Sequence, residues 1–542
     1  MSTNLGKIEE LKAVLFVTAA GFAFRIVHYF LFASYIVAGS DAMQNIKLGR
    51  KFASGNFSGV LDTYWPPLYP ILIGAVTIFV DDLVLPAVII SIVAGSLAVP
   101  LTYYFVRQSY GHDAGIVAAV LAVFFPYLIN SVFAIGTENL YYLFIVGALF
   151  TGWKGLMNDS PTSYLSTGVL LGLGYLTRPE AIGYPIFFIA LAVGKAVWQK
   201  RPFRRETILQ VSSILLGFAL LSVPYLLYLK SETGSWTISG KMGKNFASGV
   251  FSEEQTKGAP TRSLEDSTDD SRPTIKNLAS NFFFNLREAH KAIGELMPIF
   301  LLLLAGLGLF GEKLSEERLK REAFLVAFCF LTIVGYAATW VLERYLYILF
   351  PIFFGWIALG IIRLERWYRE SVSDWTFGRY LSRINYHSFV ALCLVLVYLY
   401  VFTTNFYVRS SASSWQQAAY EERDAGKWIK ENGKSNPNLF TESYRPAFYA
   451  DGIQYWSEST DLEVIMSQIK QCKGDSLITS GPPNRDCKID YVVSSERSLR
   501  GNPFLENFTD VLRNDPEFTL VYETDKQPGY KISVFEHKQN SE

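Results

Sequence analysis

Apolar residues in this chain come in long, nearly uncharged blocks, not at the alternating spacing of a half-buried strand. The first runs from Ala13 to Val37. Others follow at Val84–Val106, Ala114–Ile129, Leu140–Leu156, Leu165–Leu176, Ala181–Val197, Ile208–Leu229, Ile293–Phe310, Phe324–Trp340, Tyr345–Ile362 and Phe389–Phe402. A helix needs about 20 apolar residues to cross a bilayer core, so these blocks predict about eleven membrane spans, several of them short. Tyr69–Val80 is also apolar but too short for a comfortable crossing, which predicts an interfacial or re-entrant helix. Arg25 and His28 stand inside the first block, where a charged group snorkels to the interface or pairs with a neighbouring helix.

From about Asn405 the pattern changes and charged residues become frequent. Tyr420–Asn432 reads as an amphipathic helix closed by Gly433. Leu439-Phe440 and Tyr491-Val492-Val493 read as short buried strands, and Phe518–Tyr522 with Tyr530–Phe535 as a strand pair around Gln527-Pro528-Gly529. The expected architecture is therefore mainly α: a polytopic helical membrane domain over residues 1–406, then a water-soluble α/β domain over 407–542. Within the first lie an outer loop at 38–83 and a long polar loop at 231–290, which is a lid or, as its composition favours, a linker.

Composition sharpens this picture. Half of the residues are hydrophobic and 18% are charged, against about 25% charged in a soluble chain. Net charge is zero, which gives no reason to expect a nucleic-acid partner. The first block is too long for a cleaved leader and lacks a small-residue cleavage site, so it reads as the first span. With Tyr69–Val80 kept at the surface, the basic clusters share one side: Arg107; Lys200, Arg201, Arg204 and Arg205; Lys313, Arg318, Lys320 and Arg321; and Arg363, Arg366, Arg369, Arg379 and Arg383. That side, with the N-terminus, is expected to be cytoplasmic. The C-terminal domain is then extracytoplasmic, outside a plasma membrane or inside the endoplasmic reticulum. Cys472 and Cys487 fall on the oxidising side as a candidate disulfide, while Cys329 and Cys393 lie in spans as packing residues. The five histidines are scattered without ligand spacing. Asp81-Asp82 and Asp269-Asp270 fit solvated turns better than a divalent-ion site, so no cofactor is required and a metal has no support.

Charged groups also gather at the outer ends of the blocks: Asp41, Lys47, Glu138, Arg178, Glu180, Arg344 and, beside it, Tyr345. A charge at membrane depth costs about 2.5–3.5 kcal/mol, so it is retained for a reason. Structural reasons exist: helix capping, mutual pairing and headgroup contact. The chemical reading is sharper. Guanidinium groups grip a lipid phosphate through paired hydrogen bonds, a carboxylate takes a proton from a hydroxyl, and cations stabilise a departing phosphate.

Ser40-Asp41-Ala42, followed by Tyr64-Trp65-Pro66-Pro67-Leu68-Tyr69-Pro70, resembles the first extracytoplasmic loop of the C-type (GT-C) membrane glycosyltransferases. The similarity is to the dolichyl-phosphate-mannose–protein mannosyltransferases and to the transferases that move aminoarabinose from undecaprenyl phosphate. Thr137-Glu138-Asn139, Thr177-Arg178-Pro179-Glu180-Ala181 and Arg344-Tyr345-Leu346 fall where such proteins carry similar short signatures. The resemblance covers residues 10–360 and is looser beyond. It implies a hexosyl- or pentosyltransferase that passes a sugar from a polyprenyl-phosphate donor to a hydroxyl of a glycan, lipid or protein, by single displacement with inversion. Asp41 becomes the catalytic base and Glu138 a second active-site acid. Arg178 and Arg344 become donor-phosphate ligands, with Glu180, Tyr345, Trp65, Tyr69 and Lys47 also in the donor site. The partners implied are the donor, the acceptor and the bilayer. One departure matters: Trp65 stands where the mannosyltransferases carry a histidine, and an aromatic ring stacks on a sugar or lipid but does not neutralise phosphate. Sugar and acceptor are therefore not carried over from either subgroup. A transporter built on the broken helix at Thr177–Glu180, or a non-catalytic scaffold with an outer binding domain, is the alternative. The lack of an internal repeat and the charges at one face weigh against transport.

Overall fold

Proline and glycine cut the apolar blocks into helices. The computed structural model describes residues 2–33, 36–200, 204–240, 275–311, 313, 315–372, 385–410, 414–472, 477–479, 488–496, 505, 507–524 and 530–538. The chain divides into two units, Met1–Ser34 with Gly39–Val401, and Tyr35–Ala38 with Phe402–Glu542.

In the first unit, α1 (Ser2–Phe32), α2 (Ser40–Ala53) and α3 (Leu68–Thr77) precede the long α4 (Leu85–Tyr110). Pro86 sits in the first turn of α4, where a missing N–H costs nothing, and Gly111 closes it at φ 94°, a conformation glycine adopts freely. α5 (His112–Phe124) stops where Phe125 turns extended ahead of Pro126, and α6 (Pro126–Asn130) begins there. α7 (Glu138–Asn158), α8 (Pro161–Thr177), α9 (Tyr184–Trp198) and α10 (Arg205–Thr233) follow. After them come α11 (Ile275–Leu296), α12 (Ile299–Phe310), α13 (Glu316–Ala337), α14 (Phe350–Val372) and α15 (Tyr386–Ser410). Helices α8 and α10 approach backbone to backbone, because Gly168 faces the Ile214 carbonyl and Gly217 faces the Leu165 carbonyl.

The protein is a mainly α, multi-pass integral membrane protein, but the span count needs correcting. Among the described residues six helices are long and apolar enough to cross, or seven with the bent pair α11–α12, against the eleven expected. The shortfall has physical causes. α5 and α8 have only 13 and 17 residues. α13 carries charge through its first two turns. The block Ile293–Phe310 is not one span: its chain bends by 97° ahead of Pro298, which leaves α12 twelve residues long. α3 has ten residues, about 15 Å of helix and too short to cross. The 231–290 loop is also not linker throughout. From Ile275 it is helical, and α11 buries Asn285, Ala289, Ala292 and Leu296 along one stripe, while residues 241–274 lie outside the described set.

The second unit holds a six-stranded sheet of β1 (Asn438–Thr441), β2 (Ile453–Trp456), β3 (Ile478–Thr479), β4 (Tyr491–Ser495), β5 (Phe518–Thr524) and β6 (Ile532–His537), in the order β3-β2-β1-β4-β6-β5. β1 pairs in parallel with β2 and with β4, and the other neighbours are antiparallel. α16 (Ser414–Asn432) and α17 (Tyr444–Tyr449) precede and follow β1. Gly433 ends α16, its amide donating to the Ile429 carbonyl at 2.7 Å. Every residue of β4 is buried, while the edge strand β5 is largely part-exposed, with Leu520 and Glu523 exposed.

Candidate active site

Four breaks in helical structure bring polar side chains to one cavity of the first unit. At the first, the Gly39 carbonyl accepts the Met43 amide at 2.9 Å and opens α2, placing Asp41 in its first turn, where the helix dipole favours a negative charge. Asn45, one turn on, donates to the Asp41 carbonyl at 2.7 Å. The second is the start of α7, which carries Glu138. The third is the end of α8. Pro179 excludes the α conformation from the residue before it, so Arg178 turns extended at φ −148°, ψ 128°. A 3₁₀ turn, Pro179–Gly183, then carries Glu180. The fourth is the 3₁₀ segment Glu343–Leu349, which brings Arg344 and Tyr345.

The cavity measures about 510 Å³. The Trp65 side of its lining is held in place by Asp62, whose carboxylate accepts the Tyr64 and Trp65 amides at 2.7 and 2.9 Å. The Asp62 carbonyl in turn accepts the Tyr225 hydroxyl at 2.8 Å. Burial first, then the charge of Asp41 and the neighbouring Tyr345, raises the Tyr64 phenol above its ordinary pKa and keeps it protonated.

Inside, Arg344 reaches Asp41 Oδ2 at 3.4 Å and Glu138 Oε1 at 3.5 Å. Arg178 reaches the same Glu138 oxygen at 3.4 Å and Glu180 at 3.2 Å, and lies over the Tyr345 ring at 4.3 Å. The two arginines differ in access. The Arg178 side chain is 10% exposed and spans two carboxylates, whereas Arg344 is 37% exposed and Asp41 49%. A carboxylate open to the cavity can meet a hydroxyl, and a guanidinium on long, loose contacts can exchange them for phosphate oxygens. Beside this cavity lies a second, about 250 Å³ and mostly apolar, lined by Ile182, Tyr184, Leu331 and Tyr336. It shares Pro179, Glu180, Trp340 and Tyr345 with the first.

Of the residues singled out in the sequence, Asp41, Trp65, Glu138, Arg178, Glu180, Arg344 and Tyr345 line the polar cavity. Tyr69 does not: α3 turns it inward and it is fully buried. Lys47 does not either. Six residues after Asp41 on α2, it is rotated by about 240°, and burial, then Lys51, lowers its pKa. Cys472 is disulfide-bonded, and Cys487 lies outside the described residues. Cys329 and Cys393 are free and buried. Among the described residues no group of three or more His, Cys, Asp or Glu side chains is arranged to hold a metal. Asp82 caps a turn through the Val84 and Leu85 amides, and Asp269-Asp270 lies outside the described residues. Asn45 and Trp340 also line the cavity without having been singled out, and Tyr64 and Thr137 line it as members of the quoted motifs. Only Asn45, one helical turn from Asp41, left a signal in spacing.

Comparison with known proteins bears on this geometry. Residues 65–228 match the family model described as dolichyl-phosphate-mannose-protein mannosyltransferase, a stretch that holds Trp65, Glu138, Arg178 and Glu180 but neither Asp41 nor Arg344. No curated protein matches by sequence. The solved structure of ArnT from Cupriavidus metallidurans bound to undecaprenyl phosphate is similar at a TM-score of 0.55 and 11% identity, covering 96% of this chain and 98% of that one. Its apo form gives 0.54 and 12%, covering 99% of each. The oligosaccharyltransferase AglB from Archaeoglobus fulgidus, in complex with an inhibitory peptide and a dolichol-phosphate, gives 0.45 and 13%, covering 91% and 70%. The chain has the fold seen in the ArnT structures.

Proposed function

We propose that this protein is a glycosyltransferase that moves a sugar from a polyprenyl-phosphate donor to an acceptor hydroxyl on the outer face of the membrane. The observation that carries the reading is the cavity itself, in which a half-exposed carboxylate stands opposite two arginines supplied by distant elements. Asp41 takes the proton from the acceptor hydroxyl while that oxygen bonds to the anomeric carbon. The bond from that carbon to the phosphate oxygen breaks, its electron pair stays on the phosphate, and the configuration inverts. Arg344 holds the departing phosphate. Arg178, already neutralised by Glu138 and Glu180, orients Glu138 beneath it. Trp65 offers its ring to the sugar, and the adjoining apolar cavity takes the first units of the prenyl chain. The reaction needs no cofactor.

The matched family's description and the undecaprenyl phosphate bound to ArnT both support a polyprenyl phosphate as carrier. For topology, the basic clusters at 107, 200–205, 313–321 and 363–383 support a cytoplasmic N-terminus with residues 407–542 outside. Residues 1–406 then form the catalytic membrane domain, with Asp41 on its first outer loop, 38–83.

The experiment is transfer of radiolabel from undecaprenyl-phosphate-linked mannose and aminoarabinose to membrane acceptors, by the purified protein in liposomes. Label appearing on an acceptor is the expected result. Solute uptake into the liposomes with no transfer from either donor would replace the enzyme with a transporter.

A further inference from the structure

The residues just ahead of the Asp41 helix belong, by their contacts, to the C-terminal unit. Ile36, Val37 and Ala38 run outside any helix or strand, and three side chains of that unit hold their backbone. The Ile36 carbonyl accepts Arg423 Nη1 at 3.2 Å. The Ala38 amide donates to the Tyr449 hydroxyl at 2.8 Å, and the Ala38 carbonyl accepts Arg445 Nε at 3.4 Å. Ala38 is fully buried and Ile36 nearly so.

The holding side chains are themselves fixed. Glu422 is 2% exposed, forms an ion pair with Arg445 and accepts the Ser443 hydroxyl at 2.8 Å. Ser443 also caps α17, which carries Arg445 and Tyr449. Ser443, Arg445 and Tyr449 follow the carboxyl end of β1, the strand flanked on one side by β2 and on the other by β4, while Glu422 and Arg423 come from α16 ahead of it. In open α/β sheets that reversal point is where a ligand is usually held. The next residue after Ala38 is Gly39, whose carbonyl opens α2 two positions before Asp41.

From this juxtaposition we infer that Arg423, Arg445 and Tyr449 are positioning residues for Asp41: the C-terminal domain grips residues 36–38 as if they were its ligand and so fixes where the catalytic carboxylate stands. The inference rests on the reading of Asp41 as the base. It makes the C-terminal domain part of the catalytic apparatus through its hold on the chain at residues 36–38.

Two variants of the full-length protein test it beside Asp41→Asn. One carries a single glycine inserted between Ala38 and Gly39, which leaves every gripping bond possible but frees α2 from it. The other is Tyr449→Phe, which keeps the ring and removes the bond to the Ala38 amide. The inserted glycine is expected to lower kcat about a hundredfold, the scale of a displacement near 1 Å. It should leave the KM for the polyprenyl-phosphate donor and the thermal midpoint as in the wild type, because Arg344 comes from another element. Tyr449→Phe should lower kcat by less, again without moving KM. Wild-type kcat in the glycine variant overturns the inference. If the insertion disturbs folding, wild-type kcat in Tyr449→Phe does so alone. An active Asp41→Asn would remove the base assignment instead, so the two failures are distinguishable.

Discussion

Glu138 is held by space as much as by charge. Its Oε1 is shared between Arg178 and Arg344, while Oε2 is buried without a hydrogen-bond partner among the described residues and lies against Gly136, where a methyl group has no room. Gly136→Ala should push the carboxylate off both arginines and lower transfer about a hundredfold. Glu138→Gln, which fits the same space, should retain more of the fold but lose thermal stability, because two buried or half-buried cations lose their shared anion. Initial-rate assays and melting of the full-length protein measure these effects. At this scale Asp41, Glu138, Arg178 and Arg344 were conspicuous in the sequence because charge at the end of an apolar run is rare. Gly136 was not, since its demand arises from a side chain that folding brings against it. Tyr69 and Lys47 were misplaced because the facing of a residue on a short helix depends on what that helix packs against.

Among the elements, the break between α5 and α6 shows what an internal cation does. Pro126 has no N–H for the Ala122 carbonyl four residues back, and Arg25 of α1 supplies the donor instead at 3.2 Å, with a second bond to Gly21 at 3.1 Å. Arg25 is 1% exposed, so it does not snorkel. Arg25→Leu should cost about 1–3 kcal/mol by leaving a buried carbonyl unpaired. Arg25→Leu combined with Pro126→Ala should lose less than Arg25→Leu alone, since an alanine amide can serve Ala122. Denaturant unfolding of the four proteins in the cycle measures this. The apolar blocks were readable because length and lack of charge suffice to mark them. α11 was not readable, because an amphipathic helix beside a polar loop carries no apolar run. Its place is set by Asn285 donating to the Ala337 and Thr339 carbonyls at 3.1 and 3.0 Å.

For the molecule as a whole, two arginines counted towards the basic side serve first as helix caps. Arg318 donates to the Leu309 carbonyl at 2.6 Å, and Arg363 to those of Leu307 and Gly308 at 2.6 and 2.7 Å, at the end of α12. Orientation therefore rests on the remaining lysines and arginines. The C-terminal unit carries its own pH dependence. Partial burial pulls Asp515 and Glu523 upward, but hydrogen bonds from Lys470 to Asp515, and from Lys531 and Ser533 to Glu523, outweigh it and hold both below 3.8 and 4.5. Depressed carboxylates contribute stability that is complete above those values and lost as pH falls through the lower folded ones. Hydrogen exchange at β5 and β6 in the full-length protein should therefore accelerate below about pH 4 and stay constant between about pH 6 and 7. The most direct test of the whole account is the initial rate of sugar transfer by purified Asp41→Asn, measured with the polyprenyl-phosphate donor that the wild type uses. A fall of about a thousandfold or more, with undecaprenyl phosphate still bound, is the predicted result. A rate within a few-fold of wild type would contradict it.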